Sequence, residues 1–164
     1  MSIEGYKVFD KGLINSYGVK FEEKQSYQVD TSLRSIKYGN QGYGFHFVKR
    51  LEDGLRYFDG LNQEIDIAKV IALGEVKEFY DDYYGYYDLY VTYCLYIDHI
   101  LSRNEIMDYI IKQPFPRIER FIQRYRLTEE EIDIIIEKNA ILRISQAIDY
   151  YQYGNKDAYT KCKK

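Results

Sequence analysis

His46 stands between two phenylalanines in the run GFHF over 44–47. If that run is a strand, alternation sends Phe45 and Phe47 to one face and the imidazole to the other, where it can serve as a general base or a ligand. A metal centre needs three or four converging ligands. The only other histidine, His99, belongs to a different element, and no HxH or HxxxH spacing exists. No metal and no cofactor are therefore expected. Cys94 and Cys162 stand far apart without a CxxC, the pattern of two reduced thiols in a cytosolic protein.

Two charged groupings suggest binding instead. The stretch EFYDDYYGYYDLYVTY over 78–93 holds seven tyrosines and three aspartates in sixteen positions. Between Asp59 and Asp98 there are nine acidic residues against two basic ones, Lys69 and Lys77. Tyrosine gives a large, rigid, amphipathic contact surface. Acidic groups steer a protein toward a basic partner. Asp81, Asp82, Tyr83, Tyr84, Tyr86 and Asp88 are thus the expected partner-binding residues, and the partner is the basic surface of a host protein or nucleoprotein complex. Arg117, Arg120 and Arg124 recur at i, i+3 and i+7. They would form one exposed helical stripe able to touch phosphates, although a net charge of −3 makes direct nucleic-acid binding weak.

These residues need a scaffold, and the chain supplies one in two halves. The first hundred residues read as strands. YKVF over 6–9 closes on a DKG turn, 17–21 and 26–29 follow, and YGFHFV over 43–48 comes after a glycine-rich loop. A short helix near 51–58 carries Leu51, Leu55 and Phe58 at helical spacing. Period-two runs on either side of DDYYG predict a long antiparallel hairpin over 68–98, turning near Asp82 to Gly85. Along it Leu89, Val91, Leu95 and Ile97 would share one face, leaving Tyr86, Asp88, Tyr90 and Tyr96 on the other.

After Leu101 the period becomes helical. Ser102 with Glu105 and Thr128 with Glu131 read as capping boxes. QPFP interrupts the first helix, a second runs over 116–126, and a third runs from Thr128 to Tyr153 with Ile132, Ile135, Ile136, Leu142 and Ile148 as its apolar stripe. The expected fold is α+β: a twisted, mostly antiparallel sheet with one short helix, then two or three C-terminal helices. Its parts are a β-rich domain over 1–101 and a helical extension over 102–164 packed on it as one compact unit. No apolar run approaches the length needed to span a bilayer. The opening MSIEGYKVFD lacks the basic start and apolar core of a secretory signal, so a cytoplasmic protein without a membrane partner is expected.

Taken in order, YKVF, GFHF and ALGEV over 72–76 resemble a family of small domains of phages and prophage-bearing bacteria, which share a YK-x-F opening, a GFH signature and a later A-x-GE strand. The resemblance covers about 5–101. It implies a mobile-element setting and supplies no site residues. Members often follow GFH with a cysteine and an acid, where this chain has Phe47, Val48 and Lys49. The leading expectation is an accessory protein that binds and modulates or inhibits a host protein. The same order of a Tyr6-Lys7 strand, GFHF, a helix and a strand with Glu75 and Glu78 loosely resembles an ADP-ribosyltransferase layout. That resemblance implies an enzyme using a nicotinamide nucleotide, with Glu75 as the catalytic glutamate and His46 beside it. A self-associating structural module is the third reading.

Overall fold

The computed structural model describes residues 2–29, 44–80, 88–139 and 142–154. They form an α+β protein whose chain divides into two compact units. One comprises Met1–Gly54 and Ile65–Leu101. The other comprises Leu55–Glu64 and Ser102–Lys164. The division after Leu101 falls where the period of the sequence changes, and Leu55–Glu64 belongs with the helices.

Among its described residues the first unit holds seven strands, β1 (Ile3–Asp10), β2 (Gln25–Gln28), β3 (Phe45–Phe47), β4 (Ile65–Ala72), β5 (Val76–Tyr80), β6 (Asp88–Thr92) and β7 (Cys94–Ile100), and one short helix, α1 (Leu51–Gly54). They make two antiparallel sheets, ordered β1-β4-β7-β2 and β3-β6-β5. The turn after β1 is fixed by Asp66, a buried carboxylate that accepts from Gly12 N at 2.7 Å and from Leu13 N at 3.2 Å. Those bonds hold Leu13 at φ 57°, a left-handed conformation unusual for a leucine, while its side chain stays buried.

The predicted hairpin is present, and it is bent. β4 pairs with β7 and β5 with β6, from Ala68↔Ile100 out to Tyr80↔Asp88. Its turn, 81–87, lies outside the described residues. The bend at Tyr93 separates β6 from β7 and divides the hairpin between the two sheets. The expectation of one continuous apolar face is corrected there. Leu95 and Ile97 pack in the main core with Phe9, Phe21, Phe47, Val70 and Tyr90, whereas Leu89 and Val91 pack with Val48 and Tyr6. Before the bend the main core takes an even-numbered residue, Tyr90; after it, odd-numbered ones. Tyr90, expected on the open face, is therefore buried. Phe21 sits at the aromatic centre, with ring centroids of Phe9 at 5.4 Å, Tyr27 at 4.7 Å and Phe45 at 6.1 Å, within the range of favourable aromatic pairs.

The second unit holds α2 (Arg103–Ile110), α3 (Phe115–Ile122), α4 (Glu129–Lys138) and α5 (Leu142–Tyr151). Both capping boxes form with both of their reciprocal hydrogen bonds. α3 opens on Pro114 as N-cap with Pro116 in its first turn, where a missing N–H costs nothing. The expected single helix from Thr128 to Tyr153 is two, because α4 ends on Asn139 at φ −133°, ψ 68°. The interruption also breaks the stripe: Ile132, Ile135, Ile144 and Ile148 are buried, while Leu142 is 70% exposed.

Two side chains tie these helices together. Arg103 grips Glu131 through both carboxylate oxygens, Nε at 3.0 Å and Nη2 at 2.6 Å, and its Nη2 also donates to Arg126 O at 2.8 Å. Burial pushes the Glu131 carboxyl up, but the bonds from Arg103 and the Thr128 N–H outweigh it and hold the group below its ordinary range. Buried Gln152 donates from Nε2 to Ile122 O and Tyr125 O, each at 2.7 Å, and accepts from Leu127 N at 2.8 Å. Three backbone groups of the α3–α4 connection thus depend on one amide. Gln152→Ala is expected to destabilise the protein by about 3 kcal/mol, since each buried polar group left unpaired costs about 1–3 kcal/mol. Chemical denaturation followed by far-ultraviolet circular dichroism checks this, and a loss under about 1 kcal/mol would show that water replaces the amide.

Candidate functional site

The YKVF and GFHF segments meet in space. Tyr6 and Val48 exchange backbone hydrogen bonds of 2.7 and 2.9 Å, so β1 is flanked by β4 on one side and by the end of the β3 segment on the other. Gly5 makes the approach possible, because a Cβ there would lie 2.4 Å from Val48 O. Gly44 does the same at the start of GFHF: at φ +124° it leaves the space a Cβ would take from Val91 Cγ1, 2.5 Å away.

Lys7 reaches across this junction. Its Nζ donates to His46 O at 2.7 Å and lies 5.5 Å from the centroid of the Phe9 ring. Burial lowers its pKa from 10.5 to about 8. The residue keeps some exposure and its bond to His46 O is only part-buried, so the amine is partly desolvated rather than sealed from water. His46 lies opposite Val91 in the β3–β6 ladder. Its pKa falls from 6.5 to about 4, through burial first and the neighbouring Lys7 charge second. The imidazole is therefore neutral at physiological pH, and its Nε2 is buried with no hydrogen-bond partner among the described residues. A desolvated amine and a neutral, unsatisfied imidazole side by side are the most chemically distinctive grouping in the first unit.

The other predicted residues are placed elsewhere. Glu75 is exposed in the turn between β4 and β5, and among the described residues no hydrogen bond or ion pair joins it to Lys7 or His46. Glu78 accepts from Tyr90 Oη at 3.4 Å, and Lys49 Nζ lies 4.7 Å from the Tyr90 ring centroid. Asp81, Asp82, Tyr83, Tyr84 and Tyr86 lie outside the described residues. Asp88 opens β6 with its backbone opposite Tyr80.

The arginine stripe is only partly as expected. α3 ends at Ile122, so Arg124 lies beyond it; Arg124 is exposed, but Arg117 and Arg120 are half-buried. Arg117 donates to Tyr109 Oη at 2.5 Å and stacks 5.8 Å from that ring. His99 sits apart in β7, its Nδ1 2.5 Å from Asp98 Oδ2, while Lys24 Nζ approaches Asp98 Oδ1 at 3.3 Å. Among the described residues no three His, Cys, Asp or Glu side chains are grouped to hold a metal ion, and no helix is long and apolar enough to cross a membrane.

Sequence reasoning weighed His46 but passed over Lys7 as a group of its own. The available signal was a lysine inside a strand otherwise made of Tyr, Val and Phe, where a cation has to be accommodated.

A family model described as "Domain of unknown function (DUF7666)" matches residues 3–84, which include the YKVF, GFHF and ALGEV segments. Neither a curated protein nor a solved structure matches the chain.

The lowered His46 pKa has a consequence for stability. Between about 4 and 6.5 the unfolded chain binds a proton at His46 that the folded protein does not, so stability falls as pH drops through that window. His46→Gln is expected to flatten this part of the stability–pH curve. Because the chain has two histidines, proton NMR can follow each imidazole, with His99→Asn giving the assignment. Lys7→Met should raise the His46 midpoint, and an unchanged midpoint would show that the Lys7 charge does not reach it.

Proposed function

The chain belongs to the DUF7666 family, and we propose that it is a binding protein whose acidic, tyrosine-rich hairpin end docks on a basic surface of a host protein. The observation that carries this reading is the register of β5 and β6. Their pairing runs outward to Tyr80↔Asp88, so Asp81, Asp82, Tyr83, Tyr84 and Tyr86 fall in the seven residues 81–87 that join the two strands. Asp81 and Asp82 in that connection and Asp88 at the start of β6 lie close together in sequence, which favours electrostatic steering, and tyrosines beside them offer contact area at small entropic cost.

The partner class that suits this surface is a basic protein or nucleoprotein, with a host defence or nucleic-acid-processing complex as the target that the protein modulates or inhibits. The phage-type setting of that proposal rests on the resemblance of the three motifs alone. The transferase-like alternative draws on the meeting of Lys7 with His46, but Glu75 makes no bond to that pair, and docking is the better supported reading. Self-association is an outcome the test must separate.

The test compares the wild type with a variant carrying Asp81→Asn, Asp82→Asn and Asp88→Asn. Each is immobilised and exposed to a bacterial lysate, the captured protein is identified, and its association is measured at two salt concentrations. The variant is expected to associate about tenfold more slowly at low salt, with stability changed by less than about 0.5 kcal/mol. Unchanged association, or loss of the fold, would make the acidic residues structural. Sedimentation showing that the chain binds only itself would leave the self-associating reading.

A further inference from the structure

The ammonium groups of the first unit differ in how their charge is met. Lys11 approaches Asp66 at 3.8 Å, Lys24 approaches Asp98 at 3.3 Å and Lys69 approaches Glu4 at 3.3 Å. Among the described residues Lys7 has neutral company: a carbonyl oxygen at 2.7 Å and the edge of an aromatic cluster. The residue opposite it on β4 is Ala68, fully buried. The titratable group facing it from β3 is His46, itself neutral, and among the described residues no carboxylate reaches it. A buried cation without a counter-charge is unfavourable, and an amine can relieve this by giving up its proton.

A neutral amine fits the contacts that are present. It still has an N–H to donate to His46 O, and it keeps a lone pair. Partial exposure of the residue leaves that lone pair open to a small reagent. Desolvated lysines of this kind act as nucleophiles toward carbonyl compounds.

We propose that Lys7 is a nucleophilic amine site that captures a small aldehyde or ketone as an imine. The neutral Nζ adds to the carbonyl carbon and gives a carbinolamine. Its hydroxyl then leaves with the second nitrogen proton as water, and a C=N bond remains. One water is released for each imine formed, and nothing is oxidised or reduced. The inference is independent of the docking reading, which concerns the far end of the bent hairpin.

The experiment uses the intact chain with pyridoxal as the probe. The imine is trapped by borohydride after short exposure at pH 7.5 and located by peptide mass mapping. Lys7 is expected to be labelled at least about tenfold faster than exposed Lys24 or Lys77, since a larger fraction of it is the free base. Its labelling rate should rise to a plateau with a midpoint near pH 8, and the preference should vanish in denaturant. Lys7→Arg keeps the charge, cannot form an imine, and should lose the preferred label. The wild-type ratio requires no variant to fold. Equal labelling of all lysines in the folded protein, or labelling of Lys7 only after unfolding, would overturn the proposal and leave Lys7 as a strut between β1 and β3.

Discussion

The absence of a side chain at residue 5 is the constraint from which the N-terminal unit follows. With any Cβ there, Val48 O would be 2.4 Å away, and the reciprocal bonds between Tyr6 and Val48 could not form. Without that pairing, β1 would be an ordinary sheet edge. With it, the two sheets are joined through β1, Phe47 is directed into the core shared by both, and the next residue back, His46, presents its carbonyl to Lys7. Overpacking of this kind typically costs about 1–3 kcal/mol. Here it would also separate the groups that make the site.

Local signals in the sequence survived into the structure because their physics is local. Ser102 with Glu105 and Thr128 with Glu131 satisfy their own helix ends within four residues. Pro114 and Pro116 act on their immediate neighbours in the same way. The bend at Tyr93 was not legible, because all four residues before it, Leu89, Tyr90, Val91 and Thr92, are buried. A strand covered on both faces has no polar alternation to mark where its faces exchange. The end of α4 was hidden for a related reason. Isoleucines continue at helical spacing past Asn139, and only packing reveals that Leu142 stands outside the stripe.

The arginine stripe shows how a correct pattern can mislead. Spacing of i, i+3 and i+7 aligns side chains only if the helix runs through all of them. α3 stops at Ile122, because the backbone from Ile122 to Leu127 is claimed by the amide of Gln152, the residue after α5, a partner some thirty residues further along. Arg117 is meanwhile drawn to Tyr109 on α2. Tertiary contacts of this range are invisible in a window of a dozen residues.

The two units meet the same electrostatic difficulty in opposite ways. In the helical unit the Arg103 guanidinium meets the Glu131 carboxylate in a two-pronged geometry, the arrangement that best offsets the desolvation of both charges. In the β-rich unit Lys7 meets a carbonyl oxygen instead. An arginine could not remain there on the same terms, because a guanidinium does not release its proton in proteins. A leucine or methionine would fill apolar space without the penalty of a charge, but would lose the bond to His46. Only an amine can hold that carbonyl while becoming neutral. The property that lets lysine occupy this position without a carboxylate partner among the described residues is therefore also the property on which its proposed nucleophilicity rests.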